Sequence, residues 1–394
     1  MHTATRLAIE LLAPVRQLNP IAHLCFYGLY APMNEAYLRN LGVATILGGE
    51  FEQGLARLVA RLRGAARAPQ SEPVISLARQ KFYVPDRAGL PPLPDYARVT
   101  LPGGEQKIAG YTEASRGCKH LCRHCPIVPV YNGVFRIVDR DVVLEDIRRQ
   151  VSAGAEHITF GDPDFFNGPR HALELVTAVH GQFPALTYDV TIKIEHLRKH
   201  AASISTLRDT GCLFVTTAVE SVDDEILRRL DKGHTRADFL EVLEDFRRIG
   251  LPLQPTFVPF TPWTTLEGYV ELLRTIAENE LVESVAPIQL AIRLLIPAGS
   301  RLLELREVRE FTGEFDEAAL VYPWRNPDPR VDALAAHIQE LVHRGEKLKR
   351  SRTEIFKTIW EAAHRAAGAG EAQLALPVLA ARAAVPYLNE PWYC

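Results

Sequence analysis

The sequence predicts an α/β protein: a partial (β/α)6 TIM-type barrel with an N-terminal α/β half-domain and a C-terminal helical extension. Three observations predict it. Strand-like and helix-like segments alternate over residues 109–300, the pattern of parallel β/α units. Cys118, Cys122 and Cys125 directly follow the first of these strands, and barrel enzymes keep their active residues at the carboxyl ends of strands. Polar residues also recur in phase along several strands, as a polar lumen requires.

Taken in order, residues 1–65 read as strand, helix, strand and helix. His23–Tyr30 is a buried strand, Asn34–Leu41 a helix and Val43–Leu47 a second strand. Gly48-Gly49-Glu50 reads as a turn, and Phe51–Leu62 as an amphipathic helix with Leu55, Leu58, Val59 and Leu62 on its apolar face. This is half of a doubly wound sheet. Residues 66–108 form a linker rich in Pro and Gly, including Pro69, Pro73, Pro85, Pro91, Pro92, Pro94 and Pro102-Gly103-Gly104. Such a composition resists helix and central strand.

Residues 109–300 hold six candidate strands: Ala109–Ser115, His157–Gly161, Thr187–Ile194, Leu213–Ser221, Leu253–Phe260 and Ile288–Ile296. Asp141 is placed to cap a helix over Val142–Val151, and Pro169 suits a first helical position. Thr235-x-x-Asp238 reads as a capping box for a helix that stops at Gly250, and Thr264-x-x-Glu267 repeats the device. Residues 301–394 are mostly helical, with periodic runs at Val331–Leu348 and Glu354–Ala367 and a non-periodic end, Glu390-Pro391-Trp392-Tyr393-Cys394.

The 394 residues are 47% hydrophobic and 24% charged, an ordinary globular composition with length for more than one domain. A net charge of −3 supplies no global field for nucleic acid, although a local basic patch is compatible with it. Met1–Leu18 carries two arginines and Glu10 within its apolar run, which argues against a signal peptide. No stretch reaches the roughly 18 apolar residues that span a bilayer, so no membrane partner is expected. Clustered thiols in such a chain point to metal in a reducing cytosol rather than to disulfides.

Strand phase identifies the lumen. Asp189, Thr191, Lys193 and Glu195 fall in phase on the third strand, opposite Val190, Ile192 and Ile194. Thr216 and Glu220 follow on the fourth, Gln254 and Thr256 on the fifth, Gln289 and Arg293 on the sixth. A closed structural barrel fills such places with Val, Ile and Leu. Lys193 and Arg293 are therefore candidate catalytic residues facing an anionic group, and Arg suits bidentate carboxylate pairing. Trp263 is open to two readings, stacking on a ligand ring or filling the barrel mouth. Cys25 and Cys212 lie in apolar strands and read as core. Cys394 reads either as a working thiol (hydrogen-atom donor, ligand for a soft element or covalent tether) or as part of a tail without a role.

The cysteine spacing C-x3-C-x2-C puts three thiolates on one short loop, enough for three irons of a [4Fe–4S] cube. The same thiolates with His120 or His124 suit zinc. Pro126 after Cys125 excludes c-type haem, and three cysteines in eight residues leave an odd thiol, against a disulfide loop.

The run Ala114-Ser115-Arg116-Gly117-Cys118-Lys119-His120-Leu121-Cys122-Arg123-His124-Cys125-Pro126 resembles the signature of the radical S-adenosylmethionine (SAM) superfamily. The resemblance implies a [4Fe–4S] cluster on Cys118, Cys122 and Cys125, with SAM chelating the open iron. His124 stands where the family usually has an aromatic residue beside the adenine. Phe160-Gly161-Asp162-Pro163 resembles the family's GGEP motif, which implies that Gly161 and Asp162 hold the SAM ammonium. Glu220-Ser221 resembles the position whose polar side chains meet the SAM ribose or carboxylate, and Trp263 then faces the adenine or the barrel mouth.

Residues 1–65 resemble the second half of the cobalamin-binding domain that precedes many radical SAM cores. The Asp-x-His-x-x-Gly motif that ligates cobalt is not matched, so the segment reads as a truncated remnant that does not bind cobalamin. Residues 6–300 resemble a little-characterised radical SAM group with a short Cys or selenocysteine tail. The resemblance implies reductive cleavage of SAM to a 5′-deoxyadenosyl radical that acts on a small-molecule substrate. It also implies an electron donor such as flavodoxin or ferredoxin and a cytoplasmic location. An alternative is transfer of a 3-amino-3-carboxypropyl group from SAM to a soft acceptor such as arsenic. A methylthiotransferase needs three more clustered cysteines, which this chain lacks. From another class, a zinc-stabilised binding module without catalysis remains open.

Overall fold

The structure is a computed structural model that describes residues 2–64, 71–368 and 386–388, so Cys394 lies outside the described residues. The N-terminal segment is a parallel sheet in the order β1 (Cys25–Tyr27), β2 (Thr45–Gly49), β3 (Ile75–Ser76). Every residue of β2 is buried, as expected of a central parallel strand covered on both faces. Leu12, Ala31, Leu38, Val43 and Ile46 form its core. Helices Glu35–Asn40 and Glu52–Leu62 stand where the periodicity places them, and two further helices, His2–Glu10 and Leu12–Leu18, precede β1. Gly28 has φ +101° and ends β1 early, after which Tyr30–Met33 turns into a short helix. Gly48 and Gly49 belong to β2 rather than to a turn. Gly48 packs so closely on Pro32 that no Cβ would fit.

The linker is more structured than its composition suggests. It supplies β3 and then β4 (Ala97–Thr100), which pairs antiparallel with β5 (Gln106–Thr112). Gly103 and Gly104, at φ +98° and +90°, sit in the connecting turn. The prolines and glycines punctuate the strands and leave Ala97-Arg98-Val99-Thr100 free to alternate between buried and half-buried faces.

The main sheet has seven strands in the order β11 (Leu253–Phe257), β10 (Cys212–Glu220), β9 (Thr187–Thr191), β8 (His157–Phe160), β5, β4, β12 (Tyr387–Leu388). β5, β8, β9, β10 and β11 run parallel as a partial barrel, and β4 and β12 add antiparallel strands at one edge. The expected sixth parallel strand is reduced to a single bridge between Phe260 and Arg293, preceded by the 3-10 turn Pro287–Leu290. Gln289 explains the reduction: its Oε1 accepts from the Phe257 amide at 3.1 Å, taking a donor that a sixth strand would use. At the other end of the sheet β12 pairs with β4, while the adjacent Pro386 carbonyl accepts from Gln254 Nε2 on β11. Residues 386–388 therefore touch both ends of the open sheet.

Outer helices cover the parallel strands, and the largest core lies between the two layers. The Thr235–Asp238 capping box and the Gly250 stop, at φ +76°, are present. Pro169 opens the helix Pro169–Gln182. Two caps shift. Asp139, not Asp141, occupies the cap position of Arg140–Ser152. Thr265, not Thr264, caps Leu266–Glu278: the Thr264 hydroxyl already accepts from the Thr261 amide at 3.0 Å and donates to the Pro259 carbonyl at 2.9 Å. The third strand stops at Thr191, so Glu195 lies in the first turn of helix Ile194–Lys199. The periodic C-terminal runs form Pro329–Lys347 and Arg352–Ala366. Among the described residues, no helix is long and apolar enough to cross a membrane.

Candidate functional site

The cysteine loop stands on a two-stranded antiparallel ribbon, β6 (Ser115–Gly117) and β7 (Phe135–Ile137), beyond the carboxyl end of β5. Gly117, at φ +73°, turns the chain into the loop; a Cβ there would strike the Tyr131 ring and the Val134 carbonyl. The Asn167 side chain pins the start of the loop, accepting from the Lys119 amide at 3.2 Å and donating to the Gly117 carbonyl at 3.3 Å. The Arg123 amide bonds the Leu230 carbonyl at 2.9 Å.

Burial, with the neighbouring thiols adding to it, pushes the Cys118 thiol up to about 11 and the Cys125 thiol up to about 12. Cys122 opposes ionisation of both Cys118 and Cys125, and Cys118 opposes that of Cys125, while Lys193 acts in favour of a Cys118 thiolate and Lys232 of a Cys125 thiolate. Desolvated sulfurs crowded on one loop are a poor set of free thiolates. They are a good donor set for a cationic metal or cluster, which compensates their charge.

Asp162 is fully enclosed. Its carboxylate accepts from the Ala114 amide at 2.9 Å and from the Ser115 hydroxyl at 2.5 Å, so both oxygens are committed to the chain that leads into the cysteine loop. Burial pushes its pKa up to about 7 despite these bonds. Gly161 lies under Tyr111, whose hydroxyl would overlap any Cβ.

Glu220 ends β10 with φ +70°, next to a register shift. A non-glycine residue in this region is strained, by roughly 1–3 kcal/mol. The conformation brings Oε1 to 3.1 Å from His124 Nε2 and 3.3 Å from Lys232 Nζ. Burial opposes the charge on Glu220, but Lys232 and His124 outweigh it and bring the pKa down to about 2. Burial likewise opposes the charge on Lys232, and Glu220 with the Cys122 and Cys125 thiolates raises its pKa. Ser221 is buried and accepts from the Asp223 amide at 3.1 Å, just before helix Asp224–Leu230.

Lys193 Nζ lies 3.2 Å from His120 Nδ1 and 3.2 Å from Glu195 Oε2. The strand ends before either residue, but the turn into the helix brings Lys193 and Glu195 together. Asp189, opposite Val190 as its strand phase predicts, accepts from Thr159 at 2.7 Å and lies 2.8 Å from His157 Nε2.

Arg293 is committed elsewhere. It bonds Asp332 at 2.7 Å and the Trp324 carbonyl at 2.7 Å, and stacks 3.6 Å above the Trp324 ring. Trp263 packs beside Ile226, Leu230, Leu294 and Ile296, with the Arg229 guanidinium 5.2 Å from its ring centre.

Lys232 and His234 are among the residues that sequence reasoning missed. Lys232 sits in a turn between helices with no periodic signal. His234, two residues on, is buried with no well-aligned hydrogen bond at either ring nitrogen, and burial with Lys232 and Lys193 nearby lowers its pKa to about 4 against the raising effect of the Val219 backbone. A neutral buried imidazole can serve a ligand as donor or acceptor.

The radical SAM superfamily profile matches residues 112–274. The ribosomal protein uS12 methylthiotransferase RimO of Parabacteroides distasonis is 26% identical over 183 residues, covering 43% of this chain and 41% of the relative. The tRNA-2-methylthio-N(6)-dimethylallyladenosine synthase of Desulfosudis oleivorans is 23% identical over 269 residues, covering 63% and 54%. The chain thus spans about half the length of these curated relatives. Among solved structures, the cobalamin-dependent SAM radical enzyme OxsB with aqua-cobalamin and SAM aligns over 86% of this chain and 57% of its own, with TM-score 0.64 and 14% identity. The radical SAM methyltransferase TsrM of Kitasatospora setae, with tryptophan and a SAM analogue, aligns over 76% and 61%, with TM-score 0.59 and 17% identity.

Proposed function

Residues 112–274 form a radical SAM domain, and from that premise we propose that the chain is an enzyme that reductively cleaves SAM to modify a small molecule. Cys118, Cys122 and Cys125 hold the [4Fe–4S] cluster in this reading, and SAM completes its coordination. When bound, the cluster supplies the electron that breaks a carbon–sulfur bond of SAM and yields the 5′-deoxyadenosyl radical. The observation that carries the reading is the single loop with three free cysteines, two of them with thiols raised by burial, and two lysines within electrostatic reach.

The chain's own residues have distinct roles. Asp162 fixes the base of the loop through Ala114 and Ser115. Lys232 balances thiolate charge and is held by Glu220. His124 meets Glu220, the chain neighbour of Ser221, and Gly161 leaves the room that the Tyr111 ring occupies. His234 and Lys193 offer polar contacts to SAM or substrate. Arg293 and Trp263 shape the barrel mouth. The relatives' methylthiotransfer is not adopted, because Cys25, Cys212 and Cys394 have no clustered spacing in the sequence. Cobalamin is not included either, since the chain has no Asp-x-His-x-x-Gly motif.

The test is anaerobic reconstitution, reduction with SAM, and iron, sulfide and mass-spectrometric fragment analysis. Four irons per chain with 5′-deoxyadenosine is the expected result. Four irons with methylthioadenosine instead would move the chemistry to 3-amino-3-carboxypropyl transfer. A colourless protein that holds zinc on the three thiols would overturn the enzyme reading.

A further inference from the structure

We propose that His120, Asp164 and His196 form a second metal site, distinct from the three thiols, which takes a borderline divalent cation such as zinc. His120 Nε2 lies 3.3 Å from Asp164 Oδ2, and His196 Nδ1 lies 2.7 Å from the same oxygen. The three atoms are within 4.8 Å of one another. Their side chains are 11%, 1% and 2% exposed. Each of the three atoms is shut off from solvent, and its close polar partners lie within the trio, at angles poor for a hydrogen bond. Buried polar atoms are normally well paired. Three of them converging on one point with poor mutual geometry make a place for a shared cation.

The chemistry of the donors fits. Two imidazoles and one carboxylate, with room for a further ligand, suit zinc and its first-row neighbours rather than calcium or magnesium. Tetrahedral ligands at about 2.0–2.2 Å from zinc stand about 3.3–3.6 Å apart, so the His120 contact already has the right span and the His196 contact needs to open by under about 1 Å. The surroundings are built as well. Asp164 Oδ1 accepts from the Phe166 amide at 3.1 Å, which fixes the carboxylate and leaves Oδ2 for the ion. His120 Nδ1 is 3.4 Å from Glu195 Oε2, the carboxylate–imidazole–metal line that commonly orients a ligating histidine. Lys193 competes for that nitrogen at 3.2 Å. Donation from Nδ1 to Glu195 leaves the Nε2 lone pair for a cation, whereas donation from Lys193 to Nδ1 puts a proton on Nε2.

The three ligands come from successive carboxyl ends: the cysteine loop beyond β5, the turn after β8 and the helix after β9. The ion would therefore fasten the cysteine loop to two neighbouring barrel units.

The test uses the full chain in two forms. In the cluster-bearing protein, equilibrated with zinc and freed of excess metal, one zinc per chain is expected beside the iron. His196→Gln and Asp164→Asn should each lose the zinc while iron and sulfide stay unchanged. In the Cys118→Ala/Cys122→Ala/Cys125→Ala chain, cobalt(II) should give weak visible d–d bands and no thiolate charge-transfer band. This second form keeps the trio intact and answers the question even if the ligand variants fold poorly. No zinc in the first form with no cobalt bands in the second, or metal that survives both ligand substitutions, would overturn the site. The iron content reports separately on the cluster, so failure of this site and failure of the radical SAM reading are distinguishable.

Discussion

Glu220 Oε1 and Lys232 Nζ face each other at 3.3 Å at the end of β10, with side chains only 10% and 3% exposed. The pair joins two neighbours of the cysteine loop, because Glu220 also holds His124 and Lys232 lies within electrostatic reach of Cys122 and Cys125.

Breaking one half of such a pair strands the other. Lys232→Met should cost roughly 3–5 kcal/mol, because the Glu220 carboxylate remains buried with His124 as its remaining partner. Glu220→Gln/Lys232→Met should recover most of the loss. Urea denaturation of the three proteins reads this directly, and a double variant no more stable than the single would refute the coupling.

Asp162 and Glu220 give opposite pH dependences. The Glu220 pKa falls from its usual 4.5 to about 2, so its contribution is present above about 4.5 and is lost as pH falls toward 2. The Asp162 pKa rises from 3.8 to about 7, so its contribution is full below 3.8 and is lost as pH rises through 7. Between these ranges the Asp162 slope approaches at most about 1.4 kcal/mol per pH unit. Asp162→Asn keeps an acceptor for the Ala114 amide and a donor for Ser115. It should flatten the wild-type loss of stability between pH 4 and 7 and be the more stable protein at neutral pH. Equal slopes in thermal melts across that range would exclude the assignment.

Gly117 can be tested at the root of the loop. Gly117→Ala places a Cβ at positive φ, a cost of roughly 1–2 kcal/mol, before its clash with Tyr131 and Val134 is counted. Reconstituted iron per chain should fall together with stability. Full iron loading in a merely less stable variant would mean that the loop tolerates the shift.

Lys193 and Arg293 separate by kinetics. Arg293→Ala should lower thermal stability and leave KM for SAM near wild type, since its guanidinium serves Asp332 and Trp324. Lys193→Ala should lower kcat/KM at least tenfold with little loss of stability. The reverse pattern would exchange their roles.

Features with a local cause were legible in the sequence. The Thr235–Asp238 capping box needs two side chains on one helical turn, and the phase of Asp189 opposite Val190 follows from strand alternation alone. The Thr264/Thr265 shift shows the limit: both residues fit the helix-start pattern, and the turn before the helix decides between them by giving the Thr261 amide to Thr264. The sixth strand fails for a similar reason, since its apolar run is strand-like but the Gln289 side chain takes the Phe257 amide. Lys232 and His196 carried no signal because they sit in a turn and a one-turn helix. Their meaning comes from residues far off in the chain, Glu220 for one and Asp164 for the other.

The contact of residues 386–388 with both ends of the open sheet bears on how tightly a substrate can be matched. In a fully hydrogen-bonded barrel, strand number and stagger set the diameter, and the bore is rigid. Here, among the described residues, the gap is bridged by side chains: the Gln254 amide on the Pro386 carbonyl, and Leu213 and Leu388 in one apolar cluster. Side-chain contacts can yield where a strand ladder cannot, so this seam is the compliant part of the ring.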